Sequence, residues 1–303
     1  MMAGIAAVVV VGVPAVARAD SPLRDPYDLP DAPRSLSLPE LTHPEIEWTS
    51  TTTFGAIQHG SSQSPEIVER LSVDFPIGRR RYFVGLAYEA ADGVPIQRPA
   101  GASVVGGNFE LYGRTVWATP TGLAFGAGLG VLPPIATFTP DSPGGGGDVA
   151  LAAVSLTPWD YAFFHAGYLT ARPFIDVRDL FGRFVVQFRQ SFDWSLGTRH
   201  LDTSVSAAST LYFGWLASRL VGLGLEATEY YLVDADVPDD QRSKLVAAGA
   251  IRFLMPGIQP ALGAFVGVGA PLAPMTGSFW GLRCALTFVW DPSKPFRQGL
   301  GEM

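Results

Sequence analysis

The chain has 303 residues, 48% of them apolar and only 16% charged, with a formal net charge of −7. An average soluble domain is about 25% charged, so this chain offers water unusually few groups. Lys244 and Lys294 are its only lysines and no basic stripe exists, which argues against a nucleic-acid partner. The single cysteine, Cys284, allows no internal disulfide.

In chain order, Ala3 to Val16 is a Val-rich apolar stretch that ends in Ala17-Arg18-Ala19, an A-x-A cleavage signature before Asp20. Residues 1–19 therefore read as a secretory signal peptide. Met1-Met2 lacks the Lys or Arg of an n-region, which a translation start further upstream would explain. Residues 20–45 follow with Pro22, Pro26, Pro30, Pro33, Pro39 and Pro44 among acids and small residues. Such a composition predicts an extended, poorly packed, flexible extension on the periplasmic side; an arm that folds back into a lumen is the alternative.

From Glu47 the chain becomes a series of ten-to-fifteen-residue alternating segments separated by turn signals. Trp280, Leu282, Cys284, Leu286, Phe288 and Trp290 share one face of a strand, against Gly281, Arg283, Ala285 and Thr287. The same alternation sets Val186, Phe188, Phe192, Trp194 and Leu196 against Gln187, Arg189, Ser191, Asp193 and Ser195. It recurs with Phe109, Leu111 and Trp117 against Asn108, Glu110 and Arg114, and with Leu71, Val73, Phe75 and Ile77 against Arg70, Ser72 and Asp74. These segments exceed the ~5–6 residues of an ordinary strand and match the ~9–11 that cross hydrocarbon at a tilt. No apolar run after residue 20 reaches the ~18–20 residues of a transmembrane helix.

Thirteen strands are predicted, near 47–58, 66–77, 81–90, 103–118, 122–132, 148–157, 160–171, 183–196, 201–213, 219–233, 244–255, 261–270 and 278–290. Single-chain bacterial barrels have an even number, so either Phe174 to Leu180 adds a fourteenth or one of these is a loop, leaving twelve. Tight turns near 77–80, 118–121, 157–160 and 256–260 alternate with longer polar loops at 91–102, 133–147 and 234–243. Trp48, Trp117, Trp194, Trp215 and Trp290 fall near strand ends and Trp159 in a tight turn, as residues that prefer the membrane–water interface do. Trp280 begins the last strand, where an outer girdle would lie.

On this pattern the chain resembles bacterial outer-membrane β-barrel proteins over residues 46–291, with 292–303 left as a C-terminal tail. The expected fold is all-β: a transmembrane antiparallel up-and-down β-barrel of about 12–14 strands. Gly281 to Trp290 is similar to the aromatic-ended last strand of that class, although a tail follows it here. The resemblance implies an outer-membrane location, lipid around the barrel and the barrel assembly machinery as a partner during biogenesis. It leaves oligomeric state open and implies no cofactor or metal.

The inward faces carry Arg70, Asp74, Glu89, Glu110, Arg114, Arg189, Asp193, Asp202, Glu226, Arg252 and Arg283 as candidate lumen-lining residues. Paired, they would fill the lumen of a closed structural or surface-interaction barrel; hydrated, they would line a porin-like passive channel for small polar solutes. Gly126, Gly128, Gly130, Gly222, Gly224, Gly263, Gly267 and Gly269 also face inward. They read as relief of barrel curvature or as a smooth wall for a loop or the N-terminal arm. His59-Gly60-Ser61, with Glu66 or Glu69 behind it, looks like the H-x-S pair of lipid A deacylase barrels, and a solvated loop is the plainer reading. His165 reads as a girdle or lumen residue rather than a base. Asp234, Asp236, Asp239 and Asp240 form an acidic loop that is either a surface cation site or simply solvated.

Overall fold

The computed structural model describes residues 33–43, 45–59, 62–77, 81–93, 103–136, 138, 146–198, 202–234, 238, 242–268 and 279–290. Twelve strands form the wall. They are β1 (Ile46–His59), β2 (Ser62–Ile77), β3 (Tyr82–Gly93), β4 (Ser103–Ala118), β5 (Ala124–Leu132) and β6 (Tyr168–Phe181). The circuit continues through β7 (Phe184–Gly197), β8 (Ser204–Leu216), β9 (Val221–Leu232), β10 (Ser243–Phe253), β11 (Ile258–Val268) and β12 (Phe279–Trp290). Each pairs antiparallel with its neighbour in sequence, and β1 pairs with β12 from Ile46↔Trp290 to Ile57↔Phe279, closing the barrel. An even count leaves both ends of the circuit at one rim, here called the terminal rim; the opposite one is the far rim.

The wall is inside out relative to a soluble protein. On β12, Trp280, Leu282, Leu286 and Trp290 are 56, 46, 36 and 51% exposed, whereas Arg283, Ala285 and Thr287 are 3–5% exposed. Apolar side chains therefore face out and polar ones in, which is stable only where the surroundings are lipid. The exposed tryptophans fall into two belts. Trp48, Trp117, Trp215 and Trp290 ring the terminal rim, and Trp194 and Trp280 stand towards the far rim. Indoles favour those two interfaces because one end of the ring is apolar and the other donates a hydrogen bond.

Between β5 and β6 the chain departs from the predicted strands. Residues 148–157 belong to α1 (Gly146–Leu156), and a 3-10 helix (Pro158–Phe164) takes the first part of 160–171. Tyr168–Phe181 is then one strand, absorbing both the remainder of that segment and Phe174 to Leu180, so the count is twelve. Asp148 to Leu156 is apolar at almost every position and rich in alanine, the strongest helix former; with no polar face it suits a helix enclosed on most sides. Val149, Ala150, Ala152, Ala153, Val154 and Leu156 are buried.

The core lies in the lumen, in two parts. Towards the far rim, α1 and the 3-10 helix pack on inward side chains that include Val68, Ala87, Val105, Leu132, Tyr230, Val246 and Phe279. Towards the terminal rim, residues 33–43 lie inside the barrel, where Leu41 packs on Phe83, Val116 and Ala124, and Leu38 on Val185 and Tyr212. The proline-rich segment thus folds back into the lumen over this stretch. Glycine makes room for it: a Cβ on Gly263 would stand 2.7 Å from Leu36 Cδ1, and one on Gly222 3.0 Å from Pro33 Cβ.

Candidate functional site: a luminal chamber between two plugs

Arginines on the wall hold the N-terminal plug, residues 33–43. Arg178 forms an ion pair with Glu40 and a hydrogen bond to Thr42. Arg114 donates to the Glu40 carbonyl (2.6 Å) and to Asp74, while His43 donates from Nδ1 to the Glu45 carbonyl (2.6 Å) and sets Nε2 2.9 Å from Asp74. Gln187 donates to Pro39 O (3.1 Å) and Arg252 to Ser35 O (3.2 Å). The Ser35 and Ser37 hydroxyls both donate to Glu226, and Arg34 pairs with Glu47. An extended segment has no hydrogen-bonded neighbour of its own, so its buried carbonyls must find donors elsewhere; the wall supplies them.

The second plug is anchored differently. Asn108, on β4 and fully buried, donates to the carbonyls of Ala162 (3.0 Å) and His165 (3.2 Å) and accepts from the amides of Ile135 (2.9 Å) and Ala136 (2.8 Å). One amide therefore ties the two ends of the inserted segment together. Arg70 bridges Asp160 of the 3-10 helix and Glu89 of the wall, and its guanidinium lies 5.0 Å from the Phe163 ring centre. Burial opposes charge on Asp160, but Arg70, and to a lesser degree Arg172, hold its carboxyl below the usual range. His165 stacks on Tyr168 with ring centres 3.6 Å apart, and burial lowers its pKa to about 4.

A cavity of about 120 Å³ remains between the plugs, and an adjoining space of about 50 Å³ reaches Arg172 and Ser191. Arg70, Asp74, Glu89, Glu110, Arg189, Arg252 and Arg283 line the larger one, with Thr49, Thr51, Thr53 and Thr287. Arg114 is buried beside it on Asp74, Asp193 is buried as a two-pronged partner of Arg172 (2.6 and 3.1 Å), and Glu226 faces the N-terminal plug. Asp202 is the exception. It is exposed in the connection ahead of β8, because that strand starts at Ser204 rather than 201.

Several charged partners escape a reading of the sequence by strands alone. Arg172, Asp176 and Arg178 project inward from β6, with Asp176 taking both arms of Arg189 at 2.8 Å. Their spacing of two and four residues was the available signal, hidden by placing strands at 148–157 and 160–171. Glu40 and His43 lie in a segment that looked unpacked. Trp159, expected at an interface, lies in the lumen beneath Arg283 at 4.6 Å. Gly60, Ser61, Asp236, Asp239 and Asp240 lie outside the described residues; Glu66 is buried, Glu69 is exposed, and Asp234 accepts from the Val205 amide at 2.9 Å.

No protein-family model matches the chain, and no curated protein matches it in sequence. Among solved structures, the COG4313 outer membrane channel from Pseudomonas putida F1 superposes with a TM-score of 0.59 at 10% identity, over 84% of this chain and 97% of that one. The beta domain of the Bordetella autotransporter BrkA matches at a TM-score of 0.45 and 11% identity, over 81% and 99%. LpxR from Salmonella typhimurium matches at 0.42 and 10%, over 80% and 99%. The first of these likenesses shows the fold, that of a bacterial outer-membrane β-barrel.

Proposed function

We propose that this chain is an outer-membrane barrel that acts as a porin-like passive channel for small polar solutes, closed at rest by its own residues 33–43. The carrying observation is the way that plug is held. Arg114, Arg178, Gln187, Glu226 and Arg252 bind it largely through hydrogen bonds and ion pairs, which water can replace with little net cost. The wall left behind would be polar and wettable, as a selectivity lining is. An apolar plug would instead leave a surface that water avoids. Solutes then cross by size and charge, past Trp159 and Asp160 of the 3-10 helix.

The reading assigns the chain no reaction. A permanently filled structural barrel is the competing reading, and the apolar packing of α1 against the far half of the wall favours it. Conductance in planar bilayers separates the two. The full chain should be nearly silent, and a chain lacking residues 33–43 should give steady unitary currents. Silence from both chains, with the shortened one folded, would leave the filled barrel.

A further inference from the structure

The chamber is lined by five arginines and six carboxylates, and these do not all pair directly. Each of its carboxylates has an arginine within ion-pair distance: Glu40 and Glu47 have Arg34, Asp74 has Arg114, Glu89 and Asp160 share Arg70, and Glu110 has Arg172. Arg189 is taken by Asp176. Arg252 and Arg283 remain, both 5% exposed and neither within salt-bridge distance of a carboxylate among the described residues. Arg252 donates to Thr287 Oγ1 (3.0 Å) and to Ser35 O, and its Nε has no acceptor among the described residues. Arg283 lies over the rings of Trp159 (4.6 Å) and Phe265 (5.5 Å). Those contacts occupy the guanidinium face. Its N–H donors lie in the plane at the edge, where none meets an acceptor among the described residues and the side chain borders the chamber.

Hydroxyls surround this leftover pair. Thr53 is paired with Arg283 across β1 and β12, Thr51 with Ala285 one step along the same inward row, and Thr49 with Thr287, their hydroxyls 3.1 Å apart. All of these threonines border the cavity. The space is roughly eight to twelve times the 10–15 Å³ that one water centre needs, enough for a tetrahedral or planar oxyanion with some water. A buried guanidinium with no carboxylate directly against it is costly unless something bonds to its free edge, and guanidinium edges flanked by hydroxyls suit forked bonds to oxyanions.

We propose that the chamber is a binding site for one small oxyanion of the sulfate, phosphate or short-carboxylate class, held by Arg283 and Arg252 with the Thr51 and Thr53 hydroxyls. It deepens the channel reading by naming the solute class that would pause in the lumen, yet binding itself needs no current. The test is equilibrium dialysis of the full chain, folded in detergent, against radiolabelled sulfate at fixed ionic strength. One saturable site per chain is expected, with acetate competing for it. Arg283→Gln should weaken binding about tenfold or more, the worth of hydrogen bonds to a charged group. Arg183→Gln, an exposed turn arginine between β6 and β7, should leave it unchanged. If Arg283→Gln does not fold, Thr53→Val measured in the same way should still weaken sulfate. Uptake that never saturates, equal loss in Arg183→Gln and Arg283→Gln, or saturable calcium-45 uptake in place of sulfate would each overturn the site. Because dialysis reads occupancy whether or not current flows, a silent barrel and an empty chamber give different results.

Discussion

The two plugs occupy the same lumen by opposite physics. Residues 146–164 fill the far half with a helix and a 3-10 turn whose apolar side chains meet an apolar patch of wall, and one asparagine ties the ends. Residues 33–43 fill the terminal half with an irregular strap whose polar groups are met by Arg114, Arg178, Gln187, Glu226 and Arg252, while Leu38 and Leu41 pack on small apolar patches. Taking the first plug out would expose apolar surface on both sides, costing about 25 cal/mol for each Å². Taking the second out exposes Leu38 and Leu41 but otherwise mostly exchanges protein hydrogen bonds for water, a change near zero per bond apart from the buried ions. On that ground the first plug is part of the fold, and the proposed channel uses the second as its removable stopper.

The largest effect should come from the first plug. Phe163 is fully buried and carries Arg70 and Arg172 against its ring; Phe163→Ala should cost about 3–5 kcal/mol, seen as earlier unfolding in a urea titration of the lipid-reconstituted protein. A loss below about 1 kcal/mol would erase the contrast between the plugs. Next in size is the wall they share. Leu262 is 49% exposed midway along β11, and Leu262→Arg should cost about 2–4 kcal/mol at the bilayer midplane, read in the same titration. A neutral result would mean that this belt does not face lipid.

A smaller global effect, and the more telling one, is expected at Arg178. Removing one partner of a buried pair costs about 3–5 kcal/mol when the other must stay buried. On the channel proposal Glu40 does not have to stay, because its strap leaves for water. Arg178→Ala should therefore change the unfolding midpoint little while making residues 33–43 readily cut by a protease added on the terminal side. A large loss of stability with no new cleavage would make the strap as permanent as the helix.

The last effect is one of pH. His165 has a folded pKa of about 4, below its unfolded value of about 6.5. The unfolded chain binds the proton first on acidification, so the stability due to a neutral buried imidazole is present above pH 6.5 and lost progressively down to about 4. Melting of the wild type should fall more between pH 7 and 4.5 than that of His165→Phe, and parallel curves would refute the assignment.

How far the sequence reveals this molecule depends on what each stretch faces. β2, β4, β7 and β12 were legible because lipid on one side and polar groups on the other enforce a strict period of two, and Leu286 beside Thr287 shows both demands at once. Asp148 to Leu156 was not, because an apolar run enclosed on most sides carries no period to read, and alternating small residues imitate a strand. The inward arginines were visible as types and positions. Their partners were not: Asp176, Asp193 and Glu110 reach Arg189 and Arg172 from different strands, and such pairing depends on register. The strap was the hardest, because proline and acid content describes both a free leader and a chain whose hydrogen bonds are all made to something else.

The seam between β1 and β12 joins positions 46 and 290, the longest sequence separation of any strand pair in the barrel, and loop-closure entropy makes such contacts slow to form. Only positions 44 and 45 separate the described strap from β1 in sequence. The zipping of the seam and the placing of the strap thus involve adjacent stretches of the chain. A barrel that closes with the strap outside would have to reopen its slowest joint, or draw the strap back through a rim, to correct the error. The order of assembly thus decides which side of the wall residues 33–43 end up on.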